Sequence, residues 1–150
     1  MDETDRKILS VLQQDADLSA AQVAEKVGLS TTPCWRRIRR LEADGIIAGR
    51  AVLLNAKALG LTVNVYADIR LRQHDEDTLL AFEAAIARLP QIVECFSVSG
   101  ESDYIVRIIT DSIETYEWLL KKMLLHMPGV ASVNSRFALG CVKMTTALPL

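Results

Sequence analysis

The chain has 150 residues, half of them apolar, with 17 Lys/Arg against 19 Asp/Glu and a formal net charge of −2. That is enough apolar material for one ordinary domain or two small ones, and it excludes a disordered chain. It also argues against diffuse polyanion binding, because the basic charge is local: six basic residues face two acidic ones from Pro33 to Lys57, whereas from Leu61 onward the balance is eight to eleven. No apolar run approaches the roughly 20 residues that a bilayer span needs, and Met1 leads into Asp2-Glu3-Thr4-Asp5 rather than a basic and then apolar leader. A soluble, cytoplasmic protein with no membrane partner is expected.

In chain order, Ile8, Val11 and Leu12 mark a first helix. Ser19 and Gln22 stand at capping-box spacing before a second short helix, with Val23, Ala24 and Val27 on one face. Gly28 ends it, since glycine tolerates the left-handed conformation of a tight turn, and Leu29 can plug the corner. Ser30 or Thr32 can cap the next helix, whose first turn accommodates Pro33. Gly45 closes it.

That third helix carries Arg36, Arg37, Arg39 and Arg40 within five positions. At about 100° per residue, Cys34, Ile38 and Leu41 form an apolar back, while Thr32, Arg36, Arg39 and Arg40 lie around the opposite side. Arg37 falls beside the apolar arc, so its stem should lie along the domain and its head should pair locally or touch a phosphate. Helix, glycine turn, basic helix is the helix-turn-helix plan, in which the second helix enters the major groove of double-stranded DNA. Thr32, Pro33 and Arg36 are therefore expected at base edges, Arg39 and Arg40 on phosphates, and Thr31 within the same DNA-binding surface. Ile46 to Leu54 reads as two apolar runs around Gly49-Arg50, a hairpin or wing with Arg50 at its tip as a further phosphate contact or an ordinary turn residue. Residues 1–54 form this DNA-binding domain and 55–61 a hinge.

From Thr62 the period changes. Val63, Val65, Ala67, Ile69 and Leu71 alternate with polar partners, which predicts a strand. Leu79, Phe82, Ile86 and Leu89 then recur at helical spacing up to Pro90. Strands follow at 92–98 and 104–110, a helix with Ile113, Tyr116, Leu120, Met123 and Met127 on one side, and further strand from Val130. The fold class is α+β: a winged helix-turn-helix, then a βαββαβ ferredoxin-like domain over 62–150 with both helices on one face of the sheet. The other face, with Asn64 and Tyr66, suits contact with a second copy, and dimers are the usual form of helix-turn-helix readers. In the loop Ser99 to Tyr104, backbone N–H groups could hold a carboxylate while Glu101 or Asp103 held an ammonium, which together would recognise a free amino acid.

Cys34, Cys95 and Cys141 have no metal-ligand spacing to His74 or His126, so neither metal nor other cofactor is expected; the cysteines read as small apolar residues or free thiols. Nor is there a Ser/His/Asp set or a phosphate-cradling glycine loop, and no enzymatic activity is expected.

Asp5-Arg6-Lys7-Ile8-Leu9, Val27-Gly28-Leu29-Ser30, Thr32-Pro33-Cys34, Arg37-Ile38-Arg39-Arg40-Leu41-Glu42, Gly45-Ile46-Ile47, Ser99-Gly100-Glu101-Ser102-Asp103-Tyr104 and Leu124 to Val130, in this order, resemble the leucine-responsive regulatory protein/asparagine-regulator family of transcription factors nearly end to end. The resemblance implies dimers formed through the C-terminal sheets, commonly assembled into octamers, with an amino-acid effector in a cleft between dimers. It assigns Gly100, Glu101, Ser102, Asp103 and Tyr104 to one wall of that cleft, and Ser135, Arg136, Phe137 and Ala138 to the other. The expected function is sequence-specific transcription regulation adjusted by an effector through assembly. The alternative is a DNA-wrapping architectural protein with little ligand dependence.

Overall fold

The computed structural model describes all 150 residues as two units, each with its own core: Met1–Leu53 together with Val142–Leu150, and Leu54–Cys141. In the first unit, α1 (Glu3–Gln14) opens with a reciprocal cap, Asp5 N–H donating to Asp2 Oδ1 at 2.8 Å and Asp2 N–H to Asp5 Oδ2 at 3.0 Å. The second helix, α2 (Ala20–Val27), has the expected box: Ser19 N–H donates to Gln22 Oε1 at 2.9 Å and Gln22 N–H to Ser19 Oγ at 3.3 Å. Gly28, at φ 70°, turns the chain, and the Leu29 N–H closes the helix end on the Ala24 carbonyl at 2.9 Å. Ser30 occupies the cap position of α3 (Thr31–Ala43) without a side-chain bond. Ile8, Val23, Ala24, Cys34, Ile38 and Leu41 are buried together, and Leu29 packs against them as the corner plug.

Two features of this unit differ from expectation. Residues 46–54 contain no strand ladder; Ile47 packs on the core, but Val52, Leu53 and Leu54 are exposed and meet no partner strand. Conversely, Val142–Leu150 belongs to this unit although the sequence reading carries the second domain through residue 150. Its anchor is the Gln13 amide, which bonds both the N–H and the carbonyl of Leu148. Glutamine offers one donor and one acceptor at the spacing of a backbone residue, and no periodicity advertises that.

The second unit follows β1 (Val63–Leu71), α4 (Glu76–Ile86), β2 (Ile92–Ser97), β3 (Tyr104–Thr110), α5 (Ile113–Lys122) and β4 (Val130–Phe137), the expected βαββαβ order. The sheet order is β2-β3-β1-β4, antiparallel throughout. Val65, Ala67, Ile69 and Leu71 bury one face of β1 against Phe82, Ile86, Tyr116 and Leu119 of the two helices, as alternation requires. The helix expected to continue from Ile113 to Met127 instead ends at Lys122, and a 3₁₀ turn covers Leu124–His126. Within α5 the buried arc is centred on Tyr116 and Leu119, about 90° from Ile113, which lies outside; beyond the break Leu124 and Met127 are buried and Met123 is exposed. Gly129, at φ 74°, then brings the chain against α4 so closely that a Cβ there would lie 2.3 Å from Thr78 Cγ2.

Candidate nucleic-acid interface and effector loop

The apolar back of α3 fixes what its front can present. With Cys34, Ile38 and Leu41 in the core, Thr31, Thr32, Pro33 and Arg36 are exposed on the first turns. Burial pushes the Cys34 thiol up, against the opposing pull of Arg37, which suits a core residue. The four arginines are divided among three situations. The Arg36 side chain has no ion pair or hydrogen bond. Arg39 stacks on Trp35, its guanidinium carbon 5.6 Å from the ring centroid, and bonds Glu42 at 3.1 Å; Arg50 reaches the same carboxylate at 3.3 Å. These pairs lie at the surface, where such bridges are worth at most about 1 kcal/mol and can yield to phosphate.

Arg37 and Arg40 are held differently. Arg37 Nη1 lies 2.7 Å from Asp2 Oδ2 and 2.8 Å from Asp5 Oδ1, and Arg40 Nη2 lies 2.6 Å from Asp5 Oδ2. The Asp5 side chain is only 1% exposed. Burial pushes the Asp5 carboxyl up, but the bond from Asp2 N–H and the two guanidinium groups outweigh it and hold the group below the ordinary carboxylate range. Asp2, bonded first by Asp5 N–H and then by Arg37, is held at about 2. The expectation of local pairing at Arg37 is met, and Arg40, expected on phosphate, also pairs with Asp5 while its side chain stays half exposed. Sequence reasoning missed Asp2 and Asp5 as partners. The available signal was spacing, since two carboxylates three residues apart match two guanidinium groups three apart, but nothing local says that they meet.

At the other site, the loop after β2 exposes Gly100 and Glu101, and the Glu101 carboxylate makes no hydrogen bond. Its carbonyl accepts from Arg70 Nε. Ser102 is half-buried. Of Asp103 and Tyr104, both expected to face the effector, Tyr104 turns inward, whereas Asp103 is half-buried with both carboxylate oxygens bonded. Asp103 Oδ2 accepts the Leu71 N–H at 2.6 Å and Oδ1 lies 2.8 Å from His74 Nε2. The Leu71 bond, opposed by burial and aided by His74, holds the Asp103 carboxyl below its usual range. Tyr104 is buried on Phe82, with ring centroids 4.7 Å apart, and its hydroxyl donates to Glu83 at 2.8 Å. Burial and then Glu83 push that phenol up to about 12. His74 and Arg70 are the site neighbours that sequence reading missed.

The second wall is on β4. Ser135 bonds the Tyr116 hydroxyl, Phe137 meets the Tyr116 ring edge-on with centroids 5.3 Å apart, Arg136 pairs with Asp68 at 2.7 Å, and Ala138 N–H donates to the Asn64 carbonyl at 2.9 Å. A hollow of about 310 Å³ is bounded by Tyr66, Ile105, Arg136, Phe137 and Ala138. One chain does not bring the two walls together. Tyr104 pairs with Ile69 on one flank of β1 and Phe137 with Val65 on the other. Four residues along a strand separate them by about 13 Å, before the width of the strand is added.

Residues 64–148 match the family model of the Lrp/AsnC ligand binding domain, and residues 1–48 match winged helix-turn-helix DNA-binding. Over all 150 residues, and 99% of the relative, the chain is 36% identical to the DNA-binding transcriptional activator DecR of Escherichia coli (strain K12). It is also similar to a crystal structure of an AsnC family transcriptional regulator from Agrobacterium tumefaciens, at 41% identity and a TM-score of 0.94 over 99% of this chain and 97% of that one. A transcriptional regulator from Neisseria meningitidis, crystallised as its L-Met complex, matches at 33% identity and a TM-score of 0.96 over 99% and 96%.

Proposed function

The chain belongs to the Lrp/AsnC family of DNA-binding transcription regulators, and from that premise we propose which residues read DNA and how a small molecule adjusts the reading. Arg36, with Thr31, Thr32 and Pro33, reads base edges in the major groove, while Arg39 and Arg50 exchange Glu42 for phosphates. The observation that carries this is Arg36: exposed, without an ion partner, on the first turns of the helix that the turn at Gly28 presents. Replacing Arg36 by Ala changes site preference at a cost of about 1–3 kcal/mol. Anisotropy titration on a duplex enriched from a random pool, against random duplex, measures it; an unchanged ratio between the two sinks the assignment.

The effector is a free amino acid. Its ammonium pairs with Glu101, the loop carboxylate left without a partner, and its carboxylate meets backbone N–H groups of the loop. Support for an amino acid comes from the L-Met complex of the Neisseria meningitidis regulator. Because the walls at 100–104 and 135–138 flank opposite sides of β1 and stand two to four residues apart along it, the cleft is completed by a second copy, so binding biases assembly of dimers into larger forms such as octamers and thereby the number of recognition helices presented together. The protein works in the cytoplasm, where its DNA is. A thermal-shift panel of free amino acids followed by sedimentation tests this: a ligand at about 100 times its dissociation constant stabilises by about 2.7 kcal/mol and shifts assembly, and Glu101→Ala abolishes both. No response to any amino acid would favour a ligand-independent DNA-wrapping role.

A further inference from the structure

The four arginines of α3 are not equally available, and two carboxylates decide which are. Glu42 sits at the surface and can release Arg39 and Arg50, because both it and they remain hydrated when separated. Asp5 cannot release its partners on those terms. It is buried, and a buried carboxylate stripped of its cations is strongly unfavourable. Its two contacts also fall one turn apart on α3, at Arg37 and Arg40, and reach back to the first turn of α1. Two attachment points on one side of a helix fix its rotation about its own axis.

We infer that Asp5 is a positioning residue for DNA reading: it withdraws Arg37 and Arg40 from the phosphate-binding set and sets the roll of α3 so that Arg36, alone among the four, is left without an acidic partner. This rests on the reading of α3 as the DNA-facing helix. Its consequence is selectivity. Each arginine free to grip phosphate adds sequence-independent affinity, while a fixed roll keeps Arg36 at one register on the bases. A helix with all four arginines loose would bind more DNA and distinguish less of it.

Asp5→Asn keeps the size and an acceptor for the Asp2 cap while removing the charge that holds the guanidinium groups. Binding is measured by anisotropy between about 50 and 200 mM salt on random duplex and on a duplex enriched from a random pool, with thermal melting as the folding control. The salt slope of the variant steepens by about 0.9 for each guanidinium released, so two deepen the loss of affinity across that range about tenfold, and the enriched-to-random ratio falls. Adding Arg40→Gln to Asp5→Asn returns about half of the extra slope. An unchanged slope in folded Asp5→Asn, or equal weakening on both duplexes at unchanged slope, overturns the inference and leaves Asp5 a purely structural residue. Should the variant not fold, Arg39→Gln and Arg40→Gln in the parent separate the same alternatives: the slope flattens by about one unit for Arg39 and by less than half a unit for Arg40. Equal losses overturn the inference. No loss at Arg39 would instead overturn the assignment of the DNA face.

Discussion

On α3, Thr31, Thr32, Pro33 and Arg36 share successive exposed turns, so one copy of the chain presents them together. Across the sheet, the loop carrying Glu101 lies beyond the Ile69 end of β1 and the hollow at Phe137 lies beside Val65, so the two candidate effector walls stand apart within one copy. The two units therefore differ in what a single chain can do. The first carries its candidate DNA-reading residues on one helix; the second, on the reading proposed above, needs another copy to complete its effector cleft.

That contrast depends on the units having separate cores, and the largest expected effect tests it. Phe82 is fully buried between α4 and the sheet, and Phe82→Ala should cost about 3–5 kcal/mol. The chain places one of its two tryptophans in each unit, Trp35 on α3 and Trp118 on α5. Trp35→Phe and Trp118→Phe backgrounds therefore read the units separately in urea. Phe82→Ala should lower the midpoint seen by Trp118 and leave that seen by Trp35 nearly in place. Equal shifts at both would dissolve the division.

Acid should sharpen the same contrast with a smaller effect. Asp5 in the first unit and Asp103 in the second are both held below the ordinary carboxylate range in the folded protein. A depressed carboxylate contributes stability that is complete above its unfolded value, near pH 4, and is lost as pH falls toward the folded value. Each unit should therefore weaken on acidification for its own reason. Asp103→Asn should remove about 1–2 kcal/mol from the Trp118 transition at neutral pH and flatten its decline below pH 4, leaving the acid response at Trp35 intact. An unaltered acid response at Trp118 would show that the Leu71 and His74 bonds to Asp103 do not matter.

Legibility followed range along the chain. Gly28, the Ser19–Gln22 box, the apolar back of α3 and the alternation of β1 are written over a few residues each, and each element formed where its pattern lies. The exposed front of α3, with Thr31, Thr32, Pro33 and Arg36, is readable for the same reason. What sequence could not supply was contact across distance: Asp5 with Arg37 and Arg40, Asp103 with His74, Gln13 with Leu148. The inward turn of Tyr104 was hidden too, since alternation assigns faces only once the first inward residue of β3 is known. Ile113 differs from the periodic pattern because the helix turns its Tyr116/Leu119 arc inward, and Met123 because the helix ends at Lys122, an end that no glycine or proline announces.

The smallest effects compare the units at matched positions. Ser19 caps α2 through Gln22 N–H at 3.3 Å, and Ser112 caps α5 through Thr115 N–H at 3.1 Å. Removing either hydroxyl leaves a helix-end donor to water, and each Ser→Ala change should cost about 1 kcal/mol, Ser19→Ala at the Trp35 transition and Ser112→Ala at the Trp118 transition. The two should not be equal. Each hydroxyl also has a side-chain partner at 2.9 Å, Gln22 Oε1 for Ser19 and Thr115 Oγ1 for Ser112; but Ser19 is exposed, so water can replace its oxygen, whereas the Ser112 bonds are part-buried. Ser112→Ala should therefore be the costlier, because a donor half withdrawn from solvent recovers less hydration than one at the surface.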